Sequence, residues 1–167
     1  MADDDKKSIL SLGSSDQRIA QEQHQNQLLA AEALSFLDFM IGKWSGQGQH
    51  QNEAITGKLT VRRRLQGTFL EAHEILRNAL NEVDYEDITI YRYSPTDQHL
   101  RVMQLVAPAW TSERFAFPLP DGPGVRWFGG PSVPTVIIRP DGDKILSVVH
   151  HPTTHSVESW MRYQRAD

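Results

Sequence analysis

Phe36-Leu37-Asp38-Phe39-Met40-Ile41-Gly42-Lys43-Trp44-Ser45-Gly46-Gln47-Gly48 decides the reading of this chain. A short amphipathic helix runs into a Gly-x-Trp, and a strand carrying two more glycines follows. Short strand-like runs come next, each closed by a turn signal. This order predicts the first strand of a small antiparallel barrel. Barrels of this kind keep a hollow interior, so the stretch points to a protein that encloses something small.

Downstream of Gly42 the pattern is β throughout. Strands are expected over 43–50, 56–65, 68–77, 86–93, 100–107, 112–117, 124–128, 134–139, 144–150 and 156–164. The breaks between them have a mechanism. Gln66-Gly67 supplies a tight reversal, and Ser94-Pro95-Thr96-Asp97 sets a type I turn by holding φ at Pro95. Pro140-Asp141-Gly142-Asp143 is the strongest hairpin signal of the chain. Strands this closely spaced, with no helix between them, argue for antiparallel sheet. Closure into a barrel removes the exposed edges of such a sheet. The expected fold is therefore all-β: an antiparallel barrel of eight to ten strands over 41–167, preceded by an N-terminal α-helix over 15–40.

Residues 1–14, rich in Asp, Lys, Ser and Gly, read as a disordered leader. Ser15 or Asp16 can cap the helix. Leu29, Ala33, Phe36, Leu37 and Met40 fall at spacings of three and four, which places them on one face. That face is expected to pack on the barrel or plug one end of it. Mediating a homodimer is the alternative.

Composition narrows the function classes. The chain has 167 residues, 39% of them hydrophobic, and a formal net charge of -4. That balance gives no reason to expect nucleic acid or an anionic membrane as partner. The absence of Cys excludes disulfides, thiolate metal sites and a thiol nucleophile, and it fits a cytoplasmic protein. No signal peptide and no run of about 20 apolar residues is found. Nucleophile-elbow, phosphate-loop and dinucleotide fingerprints are also missing.

Gly42-Lys43-Trp44 after a short helix resembles the Gly-x-Trp of the calycin superfamily, the lipocalins and fatty-acid-binding proteins. With Leu65-Gln66-Gly67-Thr68-Phe69-Leu70-Glu71 it is similar to nitrobindin-like and related bacterial calycin-like barrels. Ser159 to Arg165 would form the closing strand. The resemblance implies that Trp44 packs across one barrel end against an Arg of the last strand, where Arg162 and Arg165 stand. It also implies haem on a proximal His late in the chain, a region where this sequence has His150, His151 and His155. Metal held by these histidines without haem is not expected, since neighbouring strand residues point to opposite faces.

Alternation sorts the candidate site residues into faces. Arg63 shares a face with Leu59 and Val61, so it is either a buried cation needing a partner or part of a solvated edge. Glu71 and His73 lie on one side of their strand, about 7 Å apart along it. They are a candidate acid/base pair if that side is interior, which the sequence leaves open. Tyr91 lies opposite the Ile88/Ile90 pair. Gln104 is a lone amide among Leu100, Val102 and Val106, suited to hydrogen-bond a ligand. Trp110 and Trp127 lie beside loop signals and are expected at the mouth, with His150 a further candidate ligand contact.

Three functions are compatible with this pattern. The first is binding of a small, mostly apolar molecule without catalysis. The second is an enzyme on the same barrel, a cyclase, isomerase or hydratase of a hydrophobic metabolite. The third is the haem binding that the nitrobindin resemblance implies. Fold does not decide among them.

Overall fold

A computed structural model of the chain describes residues 4–108 and 110–166, with residues 4–14 and Trp110 described by their backbone. The described residues form one helix, α1 (Asp4–Ala33), a 3₁₀ segment over Ser35–Met40, and ten strands. These are β1 (Gly42–His50), β2 (Glu53–Arg64), β3 (Phe69–Arg77), β4 (Val83–Ser94) and β5 (His99–Val106). β6 (Trp110–Pro118), β7 (Val125–Phe128), β8 (Thr135–Asp141), β9 (Lys144–His150) and β10 (Val157–Arg165) complete them. Each strand pairs antiparallel with its neighbours in sequence, and β1 pairs with β10 to close the barrel. The expected all-β barrel with an N-terminal helix is the fold observed.

Every expected run holds a strand, but the first hairpin is tighter than the sequence suggests. His50 pairs with Glu53, leaving Gln51 and Asn52 as a two-residue turn at φ 49° and 72°. Two consecutive positive φ values describe the turn type whose twist matches that of paired strands. β2 therefore begins at Glu53, ahead of the expected residue 56.

The helical region departs from expectation. α1 ends at Ala33 instead of running to Met40. Leu34, Leu37 and Met40 are all at most 1% exposed. Their spacing of three puts them on one line in a 3₁₀ helix, whereas an α-helix would swing Met40 about 120° away from Leu34. The chain tightens so that all three enter the barrel end. Leu29, expected on the packed face, is 49% exposed, and residues 15–29 are exposed all round. The expected leader overlaps α1, whose backbone starts at Asp4, and residues 1–3 lie outside the described residues.

The 3₁₀ segment and the start of β1 make the closed end. Trp44, 4% exposed, donates its indole N–H to the Met40 carbonyl at 2.7 Å. The guanidinium of Arg165 stacks over its ring at 4.3 Å and donates to the Ile41 carbonyl. A side chain at Gly42, where φ is +140°, would collide with that guanidinium. The glycine of Gly-x-Trp thus leaves room for the cation above the tryptophan. Arg162 does not partner Trp44: it points outward and pairs with Asp141 at 2.8 Å. Arg162 is one residue from Tyr163 and three from Arg165, both odd steps, so strand alternation sends it to the other face.

Candidate functional site

Alternation fixes which side chains enter the lumen once one residue per strand is placed. Tyr163 and Met161 of β10, Leu59 of β2, Ala72 and Glu74 of β3, and Asp87 of β4 point inward. A cavity of about 480 Å³ remains between them, within the range of small-molecule sites. Met40, Leu59, Val136, Ile138, Ile145 and Met161 give it an apolar lining. Glu74, Tyr85, Asp87, Thr89, Gln104 and Arg114 make a polar wall on β3 to β6, and His50, Ser147, Glu158 and Ser159 add polar groups from β1, β9 and β10.

The polar wall has a defined geometry. Asp87 Oδ2 accepts three hydrogen bonds, from Gln104 at 2.6 Å, Thr89 at 3.0 Å and Tyr85 at 3.2 Å. Gln104 also donates to the Tyr85 hydroxyl at 2.8 Å. Glu74 stands directly across from Asp87 in the β3–β4 register. Its Oε1 accepts a hydrogen bond from the Tyr163 hydroxyl. Tyr163 reaches it because Gly46 and Gly57, paired across β1 and β2, leave bare backbone beside the ring. A Cβ at Gly46 would lie 2.6 Å from that ring, and one at Gly57 would lie 2.9 Å from its hydroxyl.

Electrostatics follow from this placement. Burial, and then the facing Asp87, raise the Glu74 carboxyl to about 7, against the opposing effect of the Tyr163 hydrogen bond. Burial also pushes Asp87 up, against its three hydrogen bonds. Two like charges directly opposite each other on one sheet face repel, so the pair favours retaining a proton. Tyr85, Tyr91 and Tyr163 are all raised, chiefly by burial, and stay phenolic donors.

Arg114 is 7% exposed, and burial pulls its pKa down. It donates to the Pro134 carbonyl at 3.2 Å and more weakly to Gln104 Oε1 at 3.5 Å, and it stacks over Trp127 at 5.8 Å. Among the described residues it makes no ion pair, and its Nε has no hydrogen-bond partner. Trp127 Nε1 is likewise buried without one. That N–H lies beside the Tyr91 side chain, whose ring meets the indole edge-on at 5.8 Å.

The sequence candidates divide accordingly. Tyr91, Gln104 and Trp127 line the cavity. Trp110 begins β6 at the open end, and its side chain lies outside the description. Glu71 and His73 are on the outer face of β3, where Glu71 pairs with Arg64 and His73 with Glu86, each at 2.8 Å. The inner face of that strand is the one bearing Leu70, Ala72 and Glu74, so the expected catalytic pair cannot reach the lumen. Arg63 is a paired cation at the closed end, bound to Asp38 at 2.6 Å and to the carbonyls of Ala31 and Gly67. It lies past the lumen because β2 runs beyond the closed end, and it ties the helical plug to the barrel. His150 also leaves the cavity lining. Val149 takes the inward position, and His150 donates to the His155 carbonyl.

Late histidines therefore offer no proximal haem ligand inside the cavity: His150, His151 and His155 all lie off its lining, and His50 of β1 is the histidine that reaches it. His151 Nδ1 accepts backbone N–H groups from Thr153 and Thr154. No group of three or more His, Cys, Asp or Glu suited to a metal ion occurs among the described residues.

Glu74, Asp87, Tyr85, Thr89 and Arg114 were not candidates from sequence. A signal for three of them existed. Tyr91 was a candidate, and the period of two puts Thr89, Asp87 and Tyr85 on its face. The apolar appearance of Ile88 and Ile90 concealed this, because that pair faces outward and Ile88 is 38% exposed. Among the described residues no helix is long and apolar enough to cross a membrane. The chain matches no family model and no curated protein.

Proposed function

We propose that the barrel binds a small, mostly apolar molecule in its interior, entered from the end opposite the 3₁₀ plug. The observation that carries this reading is the cavity of about 480 Å³ with an apolar lining and one polar wall. Apolar surface supplies the driving force, and a few placed polar groups orient the guest. Tyr91 and Trp127 provide flat aromatic area, and Gln104, held by Asp87 and Tyr85, belongs to the polar wall. The lack of cysteine fits work in a reducing cytoplasm.

Mass spectrometry of a denatured extract of purified protein tests the proposal, together with titration of the emptied protein with an apolar fluorophore. A discrete small molecule in the extract and one-to-one fluorophore binding are expected. Ala72→Phe, which fills the lumen, should abolish fluorophore binding while Glu71→Gln on the outer face leaves it intact. An empty extract combined with no fluorophore binding would reject the reading. A Soret band in the purified protein would replace it with haem binding.

A further inference from the structure

We propose that Asp87 and Glu74 are an acid–base pair that moves a proton on an enolisable carbonyl compound, whose oxygen is received by the Arg114 guanidinium. The proposal rests on the cavity reading above and adds a reaction to it.

Three independent features of the wall converge on this chemistry. First, Asp87 is held as a base must be held. Tyr85, Thr89 and Gln104 all anchor Oδ2, which leaves Oδ1 without a hydrogen bond among the described residues. Second, Glu74 faces it directly across the β3–β4 ladder, and Tyr163 engages Oε1 alone. Two carboxyls facing each other in one buried site disfavour ionising together, so the pair presents one acid and one base at once. Third, Arg114, more than nine-tenths buried, lines the same cavity and makes no ion pair among the described residues. A buried cation without a counter-charge is costly, and an oxygen that gathers negative charge beside its guanidinium offsets that cost. Donors aimed where negative charge develops are the usual stabilisers of an oxyanion.

The step balances without a further reactant. Asp87 Oδ1 takes a proton from the carbon next to the carbonyl. The electron pair of that C–H bond forms the C=C of an enolate, and the carbonyl π pair moves onto the oxygen facing Arg114. Glu74 then gives its proton back to the same carbon, or to the third carbon where a double bond stands there. The first outcome exchanges or inverts the α hydrogen; the second shifts the double bond into conjugation. Asp87 ends protonated and Glu74 ionised, and transfer between the facing carboxyls restores the start.

Incubation of the protein with 2-decalone in deuterium oxide reads the first outcome as deuterium gained at the α carbons. Binding of the ketone is followed in parallel by quenching of tryptophan fluorescence. Exchange above buffer is expected, falling about 100-fold or more in Asp87→Asn and Glu74→Gln, the span that general acid–base catalysis covers. Both replacements keep the shape of the side chain, and their binding of ketone should persist. Glu71→Gln and His73→Asn on the outer face should exchange like the parent. Ketone that binds but exchanges no faster than with Asp87→Asn overturns the proposal and leaves the cavity reading standing. Fluorophore binding without ketone binding also overturns it. Loss of both bindings would reject the cavity reading itself.

Discussion

The closed end and the cavity wall treat buried polar groups in opposite ways. At the closed end the named polar groups have partners: Trp44 Nε1 has the Met40 carbonyl, Arg165 has Ile41 and the indole face, and Arg63 has Asp38 and two carbonyls. On the cavity wall two carboxyls face each other, and Arg114 has no ion-pair partner among the described residues. The first region follows the rule that buried polar groups are satisfied. The second breaks it, and local departures of that kind gather where a protein acts at the expense of stability. The contrast separates residues that hold the barrel from residues available to a guest.

The largest expected effect lies at the closed end. Trp44→Ala should destabilise the protein by about 3–5 kcal/mol, a fall in melting midpoint of roughly 10 °C. An unchanged midpoint would show that the plug and Gly-x-Trp do not organise this end.

Next comes the wall, with the opposite sign. Glu74 titrates near 4.5 when unfolded and about 7 when folded, so the folded state holds more protons between those values. Its contribution is fully present below about 4.5 and is lost as pH rises through 7. Tyr163, Tyr85, Asp87 and Arg114 are the polar and charged groups around it, and Asp87, also raised, acts in the same direction. Glu74→Gln should therefore raise stability at pH 8 by on the order of 2–3 kcal/mol. Denaturant melts at pH 5 and pH 8 should show a smaller pH difference in the variant. An identical pH dependence in both proteins would refute the buried-carboxyl account.

A finer comparison lies within β10. Arg165→Met removes a cation from an indole face and should cost about 0.5–2 kcal/mol. Arg162→Met breaks an exposed ion pair and should change stability by about 0–1 kcal/mol. Equal losses would mean that stacking over Trp44 contributes nothing beyond a surface charge pair.

How far each region was legible follows from the same contrast. Gly42-Lys43-Trp44 announced the closed end because a glycine beside a large aromatic leaves a local trace: the room for the Arg165 guanidinium. Choosing Arg165 over Arg162 required strand parity relative to the closed barrel. On the wall, Gln104 stood out as one amide among aliphatic residues, and Tyr91 as an aromatic opposite isoleucines. Glu74 and Asp87 did not stand out, because an acidic residue in a strand ordinarily faces water.

By itself the sequence determined where the strand runs fall, most of the turns between them and the alternation, since turn chemistry and the period of two act between near neighbours in the chain. It also determined that Glu71 and His73 share a face, and that Leu70, Ala72 and Glu74 share the other. Which face became the lumen was decided only by closure of β1 on β10. Closure sets the inward face of every strand at once, and no single strand carries that information. The bare Gly46–Gly57 pair, the reach of Tyr163 to Glu74, and the confrontation of Glu74 with Asp87 all arise from that one decision.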